Sequence, residues 1–214
     1  IDKTFQTLAA SKRKALVAYL TAGDPDFDTS LKILQTACAS GVDVLEMGVP
    51  FSDPTCDGPV IQVASDRALK SGMSLSKTIR LAAGLRKTVQ TPIVLFSYYN
   101  PLFKYGLERV AKEVSEAGVD GLLVVDLPPE EAGPLSDALA GKDIHLIRLA
   151  APTTKPDRIR MLADGAGGFL YLITRLGVTG TGGLDYAEVA KHAAAVKAGC
   201  PHPVCLGFCI STGE

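Results

Sequence analysis

The stretch ASGVDVLEMG at residues 39–48 contains the pattern that decides the fold: a helix end, a glycine and an apolar strand in direct succession. The same pattern returns as EAGVDGLLVVD at 116–126 and as ADGAGGFLYLIT at 163–174. Gly41, Gly118 and Gly165 stand at the predicted helix ends, where glycine takes the left-handed conformation at little steric cost. The repeat predicts helix–turn–strand units and therefore a β/α fold.

Seven short apolar runs predict the strands, and their continuous hydrophobicity is typical of parallel strands that are covered on both faces. The runs are Ala15–Ala22, Val42–Val49, Pro92–Tyr98, Val119–Asp126, Ile144–Ala150, Gly168–Thr174 and Pro203–Phe208. Amphipathic helices are predicted between them. Leu107, Val110, Ala111, Val114 and Ala117, for example, form one apolar stripe at helical spacing.

This strict alternation fits two architectures, an open doubly wound sheet or a (β/α)8 barrel with one unit missing. No linker or compositional break divides the chain, so we expect one domain over residues 1–214. An eight-stranded barrel needs about 250 residues. The sequence ends soon after the seventh run, and we therefore expect a barrel domain that is incomplete at its C-terminus.

The composition excludes several classes of protein. With 214 residues, 47% of them hydrophobic and 21% charged, the chain has ample apolar content for a core, which a disordered protein lacks. A net charge of −1 argues against nucleic acid or an anionic membrane as partner. Five cysteines are an odd number in a chain that does not need disulfides, and no signal peptide or membrane span is evident. These features favour a cytoplasmic protein with reduced thiols.

Carboxylates near strand ends are the first candidates for chemistry, because sites in such folds form at the C-terminal ends of the strands. Glu46 lies within an apolar run, on the same face as Val44 and Gly48, and is therefore either paired in a salt bridge or functional. Asp53 and Asp57 follow in a loop rich in proline and glycine. Each is either a turn residue or a site residue.

Two other patterns are weaker. The segment TRLGVTGTGG at 174–183 either presents backbone N–H groups to a phosphate or is simply a loop. Cys200, Cys205 and Cys209 contain no Cys-x-x-Cys pair, so we predict no metal site. The residues alone thus indicate a β/α enzyme that uses carboxylates, with a phosphorylated substrate as one possibility.

The block LEMGVPFSDPTCDGPVIQ at 45–62 resembles the tryptophan synthase alpha subunit family. Further blocks extend the resemblance over essentially the whole chain, in the order and at the spacing of that family. They are YLTAGDPD (19–26), YYNP (98–101), VVDLPPEE (124–131), TRLGVTG (174–180) and GFCIS (207–211).

The resemblance implies a (β/α)8 TIM barrel that cleaves indole-3-glycerol phosphate to indole and glyceraldehyde 3-phosphate in tryptophan biosynthesis. It implies no cofactor in this chain and a partner beta subunit that carries pyridoxal phosphate (PLP). Glu46 matches the family's general acid/base, and Asp57 matches the carboxylate that hydrogen-bonds the indole N–H. Matches to substrate-binding positions are Tyr19, Ile61, Phe96, Tyr98, Leu123, Val125, Leu149, Tyr171, Thr179, Gly180, Phe208 and Cys209.

The sequence departs from the family pattern at two cysteines. Cys56 stands where the family usually has alanine, and Cys209 stands where it has glycine at a backbone contact to phosphate. Two alternative functions therefore remain at this point. One is a stand-alone lyase that produces indole, and the other is a catalytically weak module that mainly activates the beta subunit.

Overall fold

The computed structural model of the protein describes residues 1–174 and 185–207. Its strands are β1 (Val17–Thr21), β2 (Val44–Gly48), β3 (Ile93–Ser97), β4 (Gly121–Val124), β5 (His145–Ala150), β6 (Leu170–Ile173) and β7 (Val204–Gly207). Its α-helices are α1 (Asp2–Ala10), α2 (Phe27–Ala39), α3 (Pro59–Lys70), α4 (Leu75–Arg86), α5 (Tyr99–Tyr105), α6 (Leu107–Glu116), α7 (Gly133–Leu139), α8 (Pro156–Asp164) and α9 (Tyr186–Gly199). A 3-10 turn covers Pro129–Glu131.

The seven strands form one parallel sheet in the order β1-β2-β3-β4-β5-β6-β7. A doubly wound sheet would reverse its strand order at a switch point, whereas each strand here pairs with the next one along the chain. The sheet curves into a nearly closed barrel with the helices outside. All seven predicted strands are confirmed, and the barrel is the correct choice between the two architectures.

Alternate residues of each strand point into the barrel and form an interior cluster. Its members are Val44, Val94, Phe96, Leu123, Ile147, Phe169, Tyr171 and Cys205, with Ile1, Phe5, Val17, Tyr19, Val125, Leu149 and Ile173 packed against them. Helix α1 contributes to its floor, since the rings of Phe5 and Phe169 lie 5.8 Å apart. The functional end of the barrel is thus the opposite one, where the strands finish.

The remaining strand residues face the helices and form an outer core. Leu45, Met47, Leu95 and Leu122 are fully buried between the sheet and the surrounding helices. The predicted stripe on α6 is confirmed at its centre, because Val110, Ala111 and Val114 are the buried residues of that helix. Burial on both faces explains why the strands read as continuous apolar runs.

The prediction for the glycines at the helix ends is correct at two of three positions. Gly41 (φ 102°) and Gly118 (φ 73°) take positive φ, each one residue beyond the C-cap of α2 or α6. Gly165 follows α8 but has φ −97°, so the left-handed prediction is wrong there. Gly168 (φ 71°), three residues later, makes the left-handed turn into β6 instead.

Among the described residues, none of the helices combines the length and the apolar character that are needed to cross a membrane.

Candidate active site

Glu46 projects from the middle of β2 into the barrel, and its side chain is only 2% exposed. Within the described residues its Oε1 atom has no hydrogen-bond partner, and no salt bridge reaches the carboxyl. Burial raises the pKa of Glu46 to about 8, because the charged form loses its hydration. The salt-bridge alternative is therefore wrong for the described part of the chain, and Glu46 is a protonated acid at neutral pH.

Asp57 lies in the loop between β2 and α3, at the open end of the barrel, and is partly buried. Burial raises its pKa, and a hydrogen bond with the Tyr98 side chain opposes that rise. The Asp57 carbonyl accepts a hydrogen bond of 2.7 Å from the Gln62 side chain in the first turn of α3. Helix α3 thus holds the backbone of this loop while Tyr98 holds the carboxyl. Asp53, in the same loop, is exposed.

Tyr98 joins the end of β3 to this loop. Its hydroxyl accepts a hydrogen bond of 2.9 Å from the Cys56 N–H and interacts with the carboxyl of Asp57. Its ring lies 5.2 Å from that of Phe51. Tyr98 is therefore more than a wall of the pocket, because it sets where the Asp57 carboxylate lies.

The other predicted pocket residues fall into three groups. Tyr19, Phe96, Leu123, Val125, Leu149 and Tyr171 all belong to the interior cluster. Ile61 lies on α3, partly buried, and is not part of that cluster. Thr179, Gly180, Phe208 and Cys209 lie outside the described residues, as does nearly all of the glycine-rich segment. The assignment of these residues to substrate binding stays a prediction.

A cavity of about 330 Å³ opens at the C-terminal ends of β4 and β5. Its lining includes Val125, Leu149 and Ile173, three residues that also pack against the interior cluster. The cavity therefore adjoins the apolar interior on the β4–β5 side of the barrel, and neither Glu46 nor Asp57 lines it. A flat heterocycle needs such walls together with a few convergent polar groups.

Two glycines contribute to the site in a way that the sequence analysis missed. A side-chain carbon on Gly48 would collide with the Tyr19 hydroxyl, and one on Gly207 would collide with the Tyr171 hydroxyl. The two tyrosine rings thus lie across neighbouring strands, over residues that have no side chain. A glycine at an inward-facing strand end was visible in the sequence, but its tyrosine partner was not.

Cys205 on β7 also borders the site, although its sequence pattern indicated no role there. Its thiol lies in the interior cluster, where burial and then the nearby Glu46 raise its pKa to about 12. It is therefore a neutral wall residue beside the acid. Among the described residues, no cluster of three or more potential metal ligands is present.

Comparison with known proteins identifies the family. The family model for the tryptophan synthase alpha chain matches residues 5–214. The curated tryptophan synthase alpha chains of Desulfosudis oleivorans and Desulfatibacillum aliphaticivorans are each 52% identical over the whole of this chain, which covers 81% of either one.

Solved structures agree with this result. The crystal structure of tryptophan synthase subunit alpha from Legionella pneumophila superposes with a TM-score of 0.90 at 37% identity, covering 99% of this chain and 78% of that one. A chain from the tryptophan synthase α2β2 complex of Pyrococcus furiosus gives 0.83 at 36% identity, covering 92% and 79%. The chain therefore belongs to the tryptophan synthase alpha chain family, whose members are lyases that cleave indole-3-glycerol phosphate in tryptophan biosynthesis.

Proposed function

We propose that Glu46 and Asp57 divide the proton chemistry of a retro-aldol cleavage of indole-3-glycerol phosphate to indole and glyceraldehyde 3-phosphate. The observation that carries this assignment is the buried Glu46 carboxyl, which has no described partner and a pKa of about 8. A group with this pKa both gives and takes a proton near neutral pH. The partly exposed Asp57 is tied to Tyr98 at the mouth of the barrel.

The cycle begins with Glu46 in its protonated form. Its proton passes to the ring carbon of the indole that bears the glycerol chain, and the ring becomes a cation. The Asp57 carboxylate hydrogen-bonds the indole N–H and stabilises that positive charge. Protonation makes the ring an electron sink, so the reaction needs neither a metal nor a Schiff base.

The second half of the cycle restores Glu46. Its carboxylate now removes the proton from the hydroxyl on the glycerol carbon of the scissile bond, and that C–O bond becomes a carbonyl. The electrons of the breaking C–C bond return to the ring, which leaves as neutral indole. One proton has left Glu46 and one has come back, so the enzyme is ready for another turnover.

The apolar walls favour the indole ring over water. Phe96, Leu123 and Tyr171 present carbon surface to the barrel interior from β3, β4 and β6, and the rings of Phe96 and Tyr171 lie 6.4 Å apart. Aromatic and aliphatic walls bind a flat heterocycle without competing for its N–H. We assign the phosphate to the glycine-rich segment on the basis of the family resemblance alone.

The alpha subunits of this family carry no cofactor of their own and work with a beta subunit that holds PLP. We infer that this chain passes its indole to such a subunit. We also propose that it works in the cytoplasm, which its free cysteines favour. Activity recovered in a membrane or periplasmic fraction of fractionated cells would contradict that location.

We further propose that residues 1–214 fold as one domain, because a single sheet joins all seven strands. One cooperative unfolding transition, seen identically by circular dichroism and by tyrosine fluorescence, is the expected result. Two separated transitions would contradict it.

Indole release from indole-3-glycerol phosphate tests the function, with and without a tryptophan synthase beta subunit. We expect Glu46→Gln to lose more than ~100-fold in kcat, because an amide does not transfer protons. The matched control is Asp66→Asn, which removes an exposed carboxylate from α3 and should leave the rate unchanged. If Glu46→Gln stays within a few-fold of the parent, the assignment is wrong. If the parent releases no indole but stimulates the beta subunit, the allosteric-module alternative is correct.

A further inference from the structure

The phenol of Tyr19 occupies a position that its neighbours define closely. Tyr19 on β1 is the register partner of Glu46 on β2, so both side chains enter the barrel side by side. Tyr19 is the longer of the two, and its hydroxyl reaches as far as Gly48 at the end of β2. Because any side chain on Gly48 would collide with that hydroxyl, the glycine keeps this path across the strand open.

Two contacts hold the ring in this position. Phe96 packs against it edge to face, with ring centroids 5.3 Å apart. The side chain of Thr21, which is the register partner of Gly48, hydrogen-bonds the Tyr19 hydroxyl. A ring fixed by an aromatic edge and a hydrogen bond is a preorganised group, which loses little freedom when a ligand binds.

The hydroxyl lies within electrostatic reach of both carboxyl groups of the site, Asp57 and Glu46. Burial, the largest effect, raises the pKa of Tyr19 above its usual range, so the phenol keeps its proton throughout the working pH range. A phenol has one O–H donor and two acceptor lone pairs. Among the described residues its one hydrogen-bond partner is Thr21, so the hydroxyl has hydrogen-bonding capacity left for a ligand.

We infer that the Tyr19 hydroxyl is a further catalytic group, which donates a hydrogen bond to the glycerol oxygen that Glu46 deprotonates. This inference rests on the function proposed above, because it assumes that Glu46 acts on that hydroxyl. The Tyr19 proton is shared with the substrate but is not transferred. Glu46 takes the hydroxyl proton, the C–O bond becomes a carbonyl, and the C–C electrons go to the protonated ring.

The effect on rate follows from where the charge develops. The glycerol oxygen carries most negative charge when its proton has partly left and the C–C bond has not yet broken. A fixed neutral donor stabilises that oxygen more strongly in the transition state than in the bound substrate, and donors of this kind contribute about 100-fold or more to kcat. We expect a loss of 10-fold to 100-fold for removal of this single hydroxyl.

Tyr19→Phe tests the inference, measured as kcat and KM for indole release by the whole chain. The expected result is a 10-fold to 100-fold fall in kcat with KM changed less than threefold. Tyr105→Phe is the matched control, because it removes a hydroxyl that hydrogen-bonds Glu113 on the outside of the barrel, and its kcat should be unchanged. Thr21→Val, which frees the phenol, should give a smaller fall in kcat than Tyr19→Phe.

A substrate analogue without glycerol hydroxyls, 3-indolylpropyl phosphate, separates this role from a structural one. If Tyr19 donates to the glycerol oxygen, the inhibition constant of this analogue should be the same for Tyr19→Phe and the parent. If Tyr19→Phe weakens analogue binding by the same factor by which it lowers kcat, Tyr19 only shapes the pocket and the inference is overturned. Unchanged kcat in Tyr19→Phe, together with an inactive Glu46→Gln, would overturn it while leaving the proposed function intact. An active Glu46→Gln would overturn both.

Discussion

Replacing Glu46 by glutamine should make the protein more stable near neutral pH, although it removes the activity. The carboxyl is 2% exposed and lacks a described hydrogen-bond partner at Oε1, so ionising it inside the barrel is unfavourable. An amide of the same shape has no charge to desolvate. The size of the gain should therefore depend on pH in a way that the pKa of Glu46 dictates.

The magnitude follows from the two pKa values of this carboxyl. It ionises near 4.5 in an unfolded chain and near 8 in the folded protein. Between these values the unfolded state releases the proton and the folded state keeps it, so raising the pH favours unfolding by about 1.4 kcal/mol per pH unit. At pH 7 the accumulated loss is about 3 kcal/mol for this one group. Below pH 4.5 both states are protonated and the loss disappears.

Urea unfolding of both proteins between pH 4.5 and pH 8.5 is the appropriate assay, with the free energy of unfolding of the parent subtracted from that of Glu46→Gln. The difference should grow by about 3 kcal/mol from pH 4.5 to pH 7 and level off above pH 8. Other titrating groups cancel in this subtraction.

Glu113→Gln provides a control of opposite sign. Hydrogen bonds from Tyr105 and Arg109 hold the pKa of Glu113 below its usual value, so its ionised form stabilises the folded state. Its difference should fall as the pH rises towards the ordinary glutamate pKa of 4.5 and stay nearly constant between pH 5 and pH 8.5, where the carboxyl is ionised in both states. A flat difference for Glu46→Gln would refute the reasoning, because it would mean that Glu46 ionises as readily in the barrel as in the unfolded chain.

Three further predictions concern the site and its support. The kcat/KM for indole release should decline above pH 8, because Glu46, with a pKa of about 8, is protonated when the cycle begins. A kcat/KM that keeps rising to pH 10 would contradict this order of steps. Gly207→Ala should lose activity, because its methyl group displaces the Tyr171 ring. Adding Tyr171→Ala should restore part of the rate. Adding Tyr171→Phe should not, since the new methyl group also collides with the ring carbons. Arg86→Met should lower the free energy of unfolding, measured in urea, by about 2 kcal/mol and leave kcat unchanged. Arg86 donates to the Asp120 carboxylate at 2.5 Å and to the Gly118 carbonyl at 2.9 Å, and both contacts are far from the site.

The sequence by itself determined the parts of this protein that depend on neighbouring residues. Apolar runs located all seven strands, since burial on both faces leaves a continuous hydrophobic signature. The alternation of side chains placed Glu46, Val44 and Gly48 on one face of β2. Positive φ at Gly41 and Gly118 followed from the demands of a helix end.

Local reasoning was less reliable where several residue choices fit the same turn. Gly165 was a sensible left-handed candidate, but Gly168 takes that role. Three aspartates at 24, 26 and 28 could each cap α2; Asp26 caps it, and Asp24 pairs with Arg67 instead. In such clusters of glycine or aspartate, the packing of the following element selects among positions that are equivalent in sequence.

Only the tertiary structure decided how the barrel brings distant residues together. That Glu46 has no described partner, that Tyr98 holds Asp57 and that Tyr19 crosses over Gly48 are contacts between different strands and loops. Each depends on the register of β1, β2 and β3, which hydrophobic periodicity does not specify. Burial of a charge is likewise a property of the closed barrel, because it is the surrounding walls that remove water from the carboxyl and raise its pKa.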